Sequence, residues 1–180
     1  KPYQPDGLWE EVSVERREKY SRDQGADLYR RSMYTFWKRT CPPPGMTTFD
    51  APDRETCMLR RARTNTPLQA LVLMNDPTYL EAARKMAERA LREGGGSDDD
   101  RIDYLFRLAV SRRPNDRERG VLRTMLNQAR SRFHTASEDA LRLLTVGDAP
   151  RDESLEGTEL ASWTTLASIM LSLDETITKE

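Results

Sequence analysis

Four arginines stand close together in one short segment of this 180-residue chain, and they are its clearest candidates for ligand chemistry. They are Arg54, Arg60, Arg61 and Arg63. Guanidinium groups bind carboxylate, sulfate or phosphate through two parallel hydrogen bonds. One hypothesis is therefore an anion-binding site, assisted by free backbone amides where a helix begins after Thr66. The alternative is structural: the arginines pair with acidic residues of the same segment, Asp50, Asp53 and Glu55.

The number and spacing of the cysteines, the histidine and the acidic residues predict neither a catalytic residue nor a metal site. Cys41 and Cys57 are not part of a CxxC motif, and His134 is the only histidine, which argues against a zinc ribbon or a multi-histidine metal site. The acidic residues near Asp50 lack the spacing of an EF-hand calcium loop.

The two cysteines bracket a proline-rich turn, and in an exported protein a disulfide between them would contribute about 3 kcal/mol of stability. Two separate buried thiols are the alternative.

A run of aromatic residues precedes the arginines. Four large side chains fall at i, i+4, i+7 and i+8 and so share one face of a predicted helix over residues 27–39: Tyr29, Met33, Phe36 and Trp37. A stripe of this kind usually packs into a core. The other hypothesis is a stacking platform for sugars or bases, built from Tyr29, Tyr34, Phe36 and Trp37.

The elements that position these groups are all predicted to be helices. The prolines at 42–44 end the helix over residues 27–39, and a long ordered loop follows over about residues 40–65. Thr66 and Asp76 are residue types that cap helices, and each precedes a proline that suits the first helical position. Gln69 can reach back to complete a capping box with Thr66. Periodicity predicts further helices over about residues 77–92, 99–111, 115–133, 138–146 and 158–177.

The last of these helices is apolar on most sides and is therefore expected to lie centrally. The predicted fold class is all-α, an irregular bundle of about six to seven helices with a long ordered loop and a central C-terminal helix. Residues 1–180 are predicted to form a single helical domain, or the C-terminal portion of a larger one. Residues 1–26 are predicted to be a mostly irregular N-terminal arm.

Composition argues against two function classes. The chain has 29 basic and 30 acidic residues and a net charge of -1, so it lacks the basic excess of a general nucleic-acid binder. No segment approaches the run of about 18 apolar residues that a membrane span requires. We therefore predict no nucleic-acid partner and no membrane span.

Four blocks of sequence carry a resemblance to a known family. They are KPYQPDGLWEEV from Lys1, DLYRRSMYTFWKRT from Asp27, FDAPDRETCMLRRARTNTPLQALVLMNDP from Phe49 and LASIMLSLDE from Leu166. The chain resembles the C-terminal portion of a planctomycete domain of unknown function, found in large exported proteins that often carry a cytochrome c module. The residues that look like the signature of this family are Asp50, Arg54, Arg61, Asn65, Thr66, Pro67, Gln69, Asn75 and Asp76.

The resemblance implies an exported, periplasmic or cell-surface protein, and it implies no catalytic residue. It places a haem module elsewhere in the parent protein and no cofactor in this chain. Our first hypothesis is a non-catalytic binding or assembly module that contacts other domains of the parent protein through residues 29–77. The second is an accessory or catalytic part of an enzyme acting on an acidic polysaccharide, whose sulfate or uronic groups the arginines would hold.

Overall fold

The structure is a computed structural model that describes residues 1–178. Over these residues the fold is all-α, as the sequence predicts, and a lone bridge pair between Lys38 and Cys41 is the only strand-like contact. The chain divides into two compact units, Lys1–Val72 and Leu73–Glu180.

The first unit contains little regular structure. Its α-helices are α1 (Leu8–Glu11), α2 (Pro44–Thr48) and the beginning of α3 (Pro67–Asn75), and short 3-10 turns lie at Val14–Arg16, Gly25–Tyr29 and Ser32–Tyr34. Of residues 1–72, all of which the structure describes, three are buried: Leu28, Pro43 and Gln69. The first unit therefore has almost no hydrophobic core.

The helix predicted over residues 27–39 is wrong, because the chain there forms two separate 3-10 turns. Arg30 and Arg31 between the turns have extended backbone, with ψ of 143° and 147°. Residues 32–37 are serine, methionine, threonine and aromatics, most of them weak helix formers. A helix of this composition depends on packing of its apolar face. Met33 on that face is 70% exposed, so the packing is missing.

The second unit is a helical bundle. Its helices are α4 (Pro77–Glu93), α5 (Asp98–Val110), α6 (Asp116–Thr135), α7 (Ser137–Leu144), α8 (Gly157–Leu171) and α9 (Asp174–Ile177). Side-chain caps fix where α5 and α6 begin: Ser97 with Asp100, and Asn115 with Glu118, each form a complete capping box. Apart from the end of α8, the predicted bounds of the helices in this part of the chain are confirmed to within a few residues.

Helix α8 lies at the centre of the second unit, which confirms the prediction of a central C-terminal helix. It packs against α4, α6 and α7, and Trp163 and Met170 are both completely buried. Trp163 donates its indole N–H to Glu159 at 2.7 Å, so the buried ring leaves no polar group unpaired. Within the described residues, no helix is both long enough and apolar enough to cross a membrane.

Helix α8 ends earlier than predicted. Leu173 is extended, with ψ of 144°, and it separates α8 from the short helix α9. The Ser172 hydroxyl donates to the Ser168 carbonyl at 3.0 Å, and the Thr176 hydroxyl donates to the Met170 carbonyl at 2.9 Å. Such side-chain bonds compete with continuation of the helix. Because α1, α2 and α9 are short helices of four or five residues, the described residues contain nine helices where the sequence predicts about six to seven.

Two arginines tie the ends of these helices together. Arg130 bonds both Asp98 and Glu159, at 2.9 Å to each, and this lowers the pKa of Asp98. Arg112 bonds Glu118 and Glu175 at 2.7 Å each. These forked ion pairs join α5, α6, α8 and α9 at positions where the apolar core ends.

Candidate functional site

The arginine-bearing loop is a continuous exposed segment. Residues 52–65 contain no helix or strand, and every one of them is exposed. Met58 and Leu59 lie at its middle, and the Leu59 side chain is fully in solvent. The loop therefore presents apolar side chains next to Arg60, Arg61 and Arg63.

Arg61 and Asp50 hold the two ends of this loop together. The Arg61 guanidinium donates to the carbonyls of Phe49 and Asp50 at 2.6 and 2.7 Å. The Asp50 carboxylate accepts from the backbone N–H of Thr64 at 2.9 Å and from its hydroxyl at 2.8 Å. Asp50 itself has a φ of +57°, in the left-handed region that Asn and Asp tolerate best after Gly. Arg61 and Asp50 are thus committed to backbone groups and shape the loop.

Gln69 anchors the end of the loop to α3. It is buried at 1% exposure, and its amide nitrogen donates to the Thr48 carbonyl at 2.9 Å and to the Thr64 hydroxyl at 3.0 Å. Its amide oxygen accepts from the backbone N–H of Thr66 at 2.9 Å, and the Thr66 hydroxyl accepts from the backbone N–H of Gln69 at 3.3 Å. The predicted capping box is therefore present, and Gln69 also joins α2 to α3.

The other residues predicted to be the family signature lie at the ends of helices or in the loop. Asp76 caps α4 by accepting from the backbone N–H of Thr78 at 2.8 Å, as predicted. Pro67 begins α3, Asn75 ends it, and Asn65 is exposed in the loop. The contacts of Asp50, Arg61, Thr66, Gln69 and Asp76 all stabilise local structure.

The remaining loop arginines do not form the predicted pairs with the acidic residues of their own segment. The Arg54 guanidinium lies over the Trp37 ring, 4.6 Å from its centre. Asp53 accepts from the backbone N–H of Glu55 at 3.0 Å, and Glu55 lies 3.7 Å from Arg39. Among residues 1–178, neither Arg60 nor Arg63 has an ion-pair partner. These two arginines are therefore available to an external anion.

Most of the aromatic run lies at the surface instead of in a core, and Trp37 is half-buried. Tyr29, Tyr34 and Phe36 are each more than half exposed. Phe36 also packs beside Trp9, with ring centres 5.6 Å apart, and Lys38 Nζ lies 4.7 Å from the centre of the Trp9 ring. This arrangement offers apolar and aromatic contact area next to cations.

Both cysteines are free thiols in the structure. Cys41 is half-buried, with its sulfur 3.9 Å from the Leu8 carbonyl, and Cys57 is exposed in the loop. The disulfide between them stays a prediction.

A buried polar cluster in the second unit was missed by the sequence reasoning. Glu81, Arg84 and Glu88 of α4 are all less than 9% exposed. Arg84 donates to the carbonyls of Leu144 and Ala149, while Glu81 and Glu88 accept from the backbone N–H groups of Asp148 and Asp152 at 2.9 and 3.1 Å. This face of α4 clamps the 144–152 connection. No local signal marks it, because the same residue types on an exposed helix face would give the same pattern.

The fold and these surfaces define a helical domain with an exposed, arginine-bearing loop. Residues 1–126 match the profile of PSD1, described as a protein of unknown function (DUF1553). The match covers more than half of the chain, so the protein belongs to this family. No curated relative and no solved structure gives a significant match. The block at Leu166 lies beyond the matched residues, and its assignment to the family stays a prediction.

Proposed function

We propose that this chain is a non-catalytic binding and assembly module of a larger exported protein, and that its first unit docks against another domain of that protein. One observation carries the proposal. The first unit buries three of its 72 residues while large apolar side chains such as Met33, Phe36 and Leu59 are more than half exposed. A segment of this size is marginally stable even with a complete core, so a partner surface is expected to cover it.

The second unit provides a direct comparison within the same chain. Its buried cluster extends from Ala83 to Met170 and includes residues from every helix of the range α4 to α8. The difference is therefore a property of the first unit and not of the whole protein. Exposed apolar surface of this kind is typical of an interaction site.

The chemistry of the first unit also specifies its partner. Aromatic residues, methionine and arginine are enriched in the cores of protein interfaces and among the residues that dominate binding energy. Arg60 and Arg63 follow the apolar Leu59 in the chain and lack ion pairs within residues 1–178. We infer a partner surface that is apolar at its centre and bears carboxylates at its rim.

The signature residues fit a module whose loop is held in one shape for binding. Backbone groups at the two ends of the loop are bound by the side chains of Arg61, Asp50 and Gln69. These contacts hold the ends of the loop, and the apolar middle of the loop stays exposed. A loop with fixed ends loses less conformational entropy on binding. An exported location and a haem module elsewhere in the parent protein are parts of the same proposal, and they rest on the resemblance.

A second candidate is a part of an enzyme that acts on acidic polysaccharide. It is favoured by Arg60 and Arg63, which have no ion pair within residues 1–178, and by the stacking of Arg54 on Trp37, because aromatic and guanidinium groups together can hold an anionic sugar. Two carboxylates of the same segment, Asp50 and Asp53, already accept from backbone N–H groups. That arrangement supports binding more than acid–base chemistry.

The test measures binding between this chain and the rest of the parent protein, produced as separate polypeptides. Leu59→Asp is expected to weaken the complex at least tenfold, because it places a charge in an apolar contact. Leu141→Asp is the matched control, since Leu141 is an exposed leucine of the second unit. Arg60→Glu, with Arg117→Glu as its control, tests the carboxylate rim. If no complex forms, the docking proposal fails. A sulfated or uronic polysaccharide that raises the melting temperature of the wild type but not of Arg60→Glu would then support the second candidate.

A further inference from the structure

A cavity of about 590 Å³ opens in the second unit beside α8. Its floor is formed by one face of α8, and its walls come from α4, α6 and α7 and from Met74 at the end of α3. The apolar side chains that line it include Leu80, Phe133, Leu143 and Leu173. All of the lining residues belong to the second unit.

The volume and lining of the cavity are those of a small-molecule site. Sites that bind small ligands span about 300–1,000 Å³, and they combine mostly apolar walls with a few polar groups. Leu80, Leu143 and Leu173 are half-buried, so their apolar surface is open to an occupant. An apolar chain is the moiety that these walls would remove from water most favourably.

One cation at the rim lacks a matching anion. Arg132 lines the cavity, and its guanidinium lies 5.4 Å from the centre of the Phe133 ring. Among residues 1–178, Arg132 has no ion pair. Asp139, the acidic residue of the lining, is already paired with Arg142 at 3.5 Å. Arg132 is therefore the charged group of the lining that has no ion pair within residues 1–178.

The threonine hydroxyl groups on the floor of the cavity are already hydrogen-bonded within α8. Thr164 and Thr165 donate to the carbonyls of Leu160 and Ala161 within α8, at 2.7 and 3.0 Å. Because their protons are used inside the helix, these side chains add little polarity to the floor. Ser168 also lines the cavity, and its small side chain leaves room above the helix.

We propose that this cavity binds a free medium-chain carboxylate, with the apolar tail between Leu80, Leu143 and Leu173 and the carboxylate on Arg132. The proposal rests on the volume, the apolar walls and the single unmatched guanidinium. It does not depend on the docking function of the first unit.

The experiment titrates the chain with hexanoate, octanoate and decanoate below their micelle concentrations, by calorimetry. Each added pair of methylenes is expected to strengthen binding by roughly tenfold or more, since burial of one methylene is worth about fourfold. Decanol and decylamine test the head group, and decanoate is expected to bind more tightly than either. Arg132→Gln should weaken decanoate about tenfold while leaving decanol unchanged. Arg117→Gln, which removes an exposed charge elsewhere on α6, should change neither.

Filling the cavity gives an independent readout. Ser168→Leu should abolish binding of both decanoate and decanol. Thermal melting checks that the variant is folded, and Ser172→Leu replaces it if it is not. The proposal is overturned if none of the carboxylates binds, if decanol and decylamine bind as tightly as decanoate, or if Ser168→Leu and Ser172→Leu fold and still bind. Binding to vesicles of anionic phospholipid without binding to dissolved decanoate would also overturn it, because the occupant would then be a lipid surface.

Discussion

Gly147 faces the buried carboxylate of Glu81 so closely that a side chain at position 147 would collide with it. A Cβ added to Gly147 would lie 2.7 Å from Glu81 Cδ and 3.0 Å from Cγ. Gly147 has a φ of +88°, in the left-handed region that glycine adopts without a Cβ penalty. Glycine at this position therefore lets the 144–152 connection approach α4 and donate the Asp148 N–H to Glu81.

Gly147→Ala is expected to lower the free energy of unfolding by roughly 2–3 kcal/mol. The left-handed conformation costs a residue with a Cβ about 1–2 kcal/mol, and displacing Glu81 disturbs a hydrogen bond worth about 1 kcal/mol. Urea denaturation of the two proteins measures the difference. Gly120→Ala is the control, because Gly120 lies within α6 with open space around it, and alanine there should raise stability by about 0.8–1 kcal/mol. Equal stability of Gly147→Ala and the wild type would show that the connection is not held as described.

Arg84→Met tests the buried clamp itself. Arg84 is 2% exposed and donates to the carbonyls of Leu144 and Ala149. Its removal leaves these two carbonyls without their donor, which is expected to cost about 1–3 kcal/mol for each carbonyl. Arg142→Met, at an exposed residue of α7 with ion pairs of 3.5 and 3.8 Å, should change stability by less than about 1 kcal/mol. Similar losses of stability in both variants would show that the hydrogen bonds of Arg84 do not hold the 144–152 connection against α4.

The Glu118–Arg112 pair predicts how stability changes in acid. The hydrogen bond from Arg112 lowers the pKa of Glu118 from its ordinary value of 4.5 to about 2. A carboxylate with a lowered pKa stabilises the folded state above its unfolded pKa, and this contribution is lost as the pH falls from about 4.5 to about 2. Arg112→Gln should remove most of that loss, so its unfolding midpoint should fall less between pH 5 and pH 2.5 than that of the wild type.

The control for this titration is Arg142→Gln, because the Arg142 pairs are exposed and poorly aligned. Between pH 5 and pH 2.5 its unfolding midpoint is expected to fall by as much as that of the wild type. If the midpoint of Arg112→Gln also falls by that amount, the ion pair does not contribute to folding in the way the geometry indicates.

Gln69→Leu is expected to loosen the arginine-bearing loop. The change removes the acceptor of the Thr66 N–H and the donors to Thr48 and Thr64, so the Thr66 amide should exchange its hydrogen at least tenfold faster. Mass spectrometry of hydrogen exchange measures this rate. Gln128→Leu changes an exposed glutamine of α6 and should leave it unaltered. Protection of Thr66 that survives in Gln69→Leu would show that the loop is held by other contacts.

The parts of the fold that the sequence predicted correctly are those with local causes. Proline at the first position of α3 and of α4, and capping residues such as Asn115, act within one turn of the helix they begin. The apolar stripes of α4 to α8 are likewise visible in the sequence. The capping box of Thr66 and Gln69 belongs to this group, so the structural part of the candidate site was predictable.

The parts that the sequence missed depend on distant residues. The helix over residues 27–39 needed a core to cover Met33, and spacing alone cannot show whether one exists. Arg61 was predicted to bind an anion or a carboxylate, but it binds the carbonyls of Phe49 and Asp50, because the path of the loop brings them there. Glu81 and Arg84 were not singled out, since their burial depends on a connection that lies 67 and 60 residues away from them in the chain.

Hydrogen exchange of the chain alone and within its whole parent protein tests the docking proposal most directly. We predict that residues 29–36 and 52–65 exchange at least tenfold more slowly in the parent protein, because a partner surface covers them there. Amides of α8, already buried around Trp163, should exchange at the same rate in both. Identical exchange of residues 52–65 in the two proteins would show that nothing covers Leu59 and its neighbours, and it would contradict the proposed function.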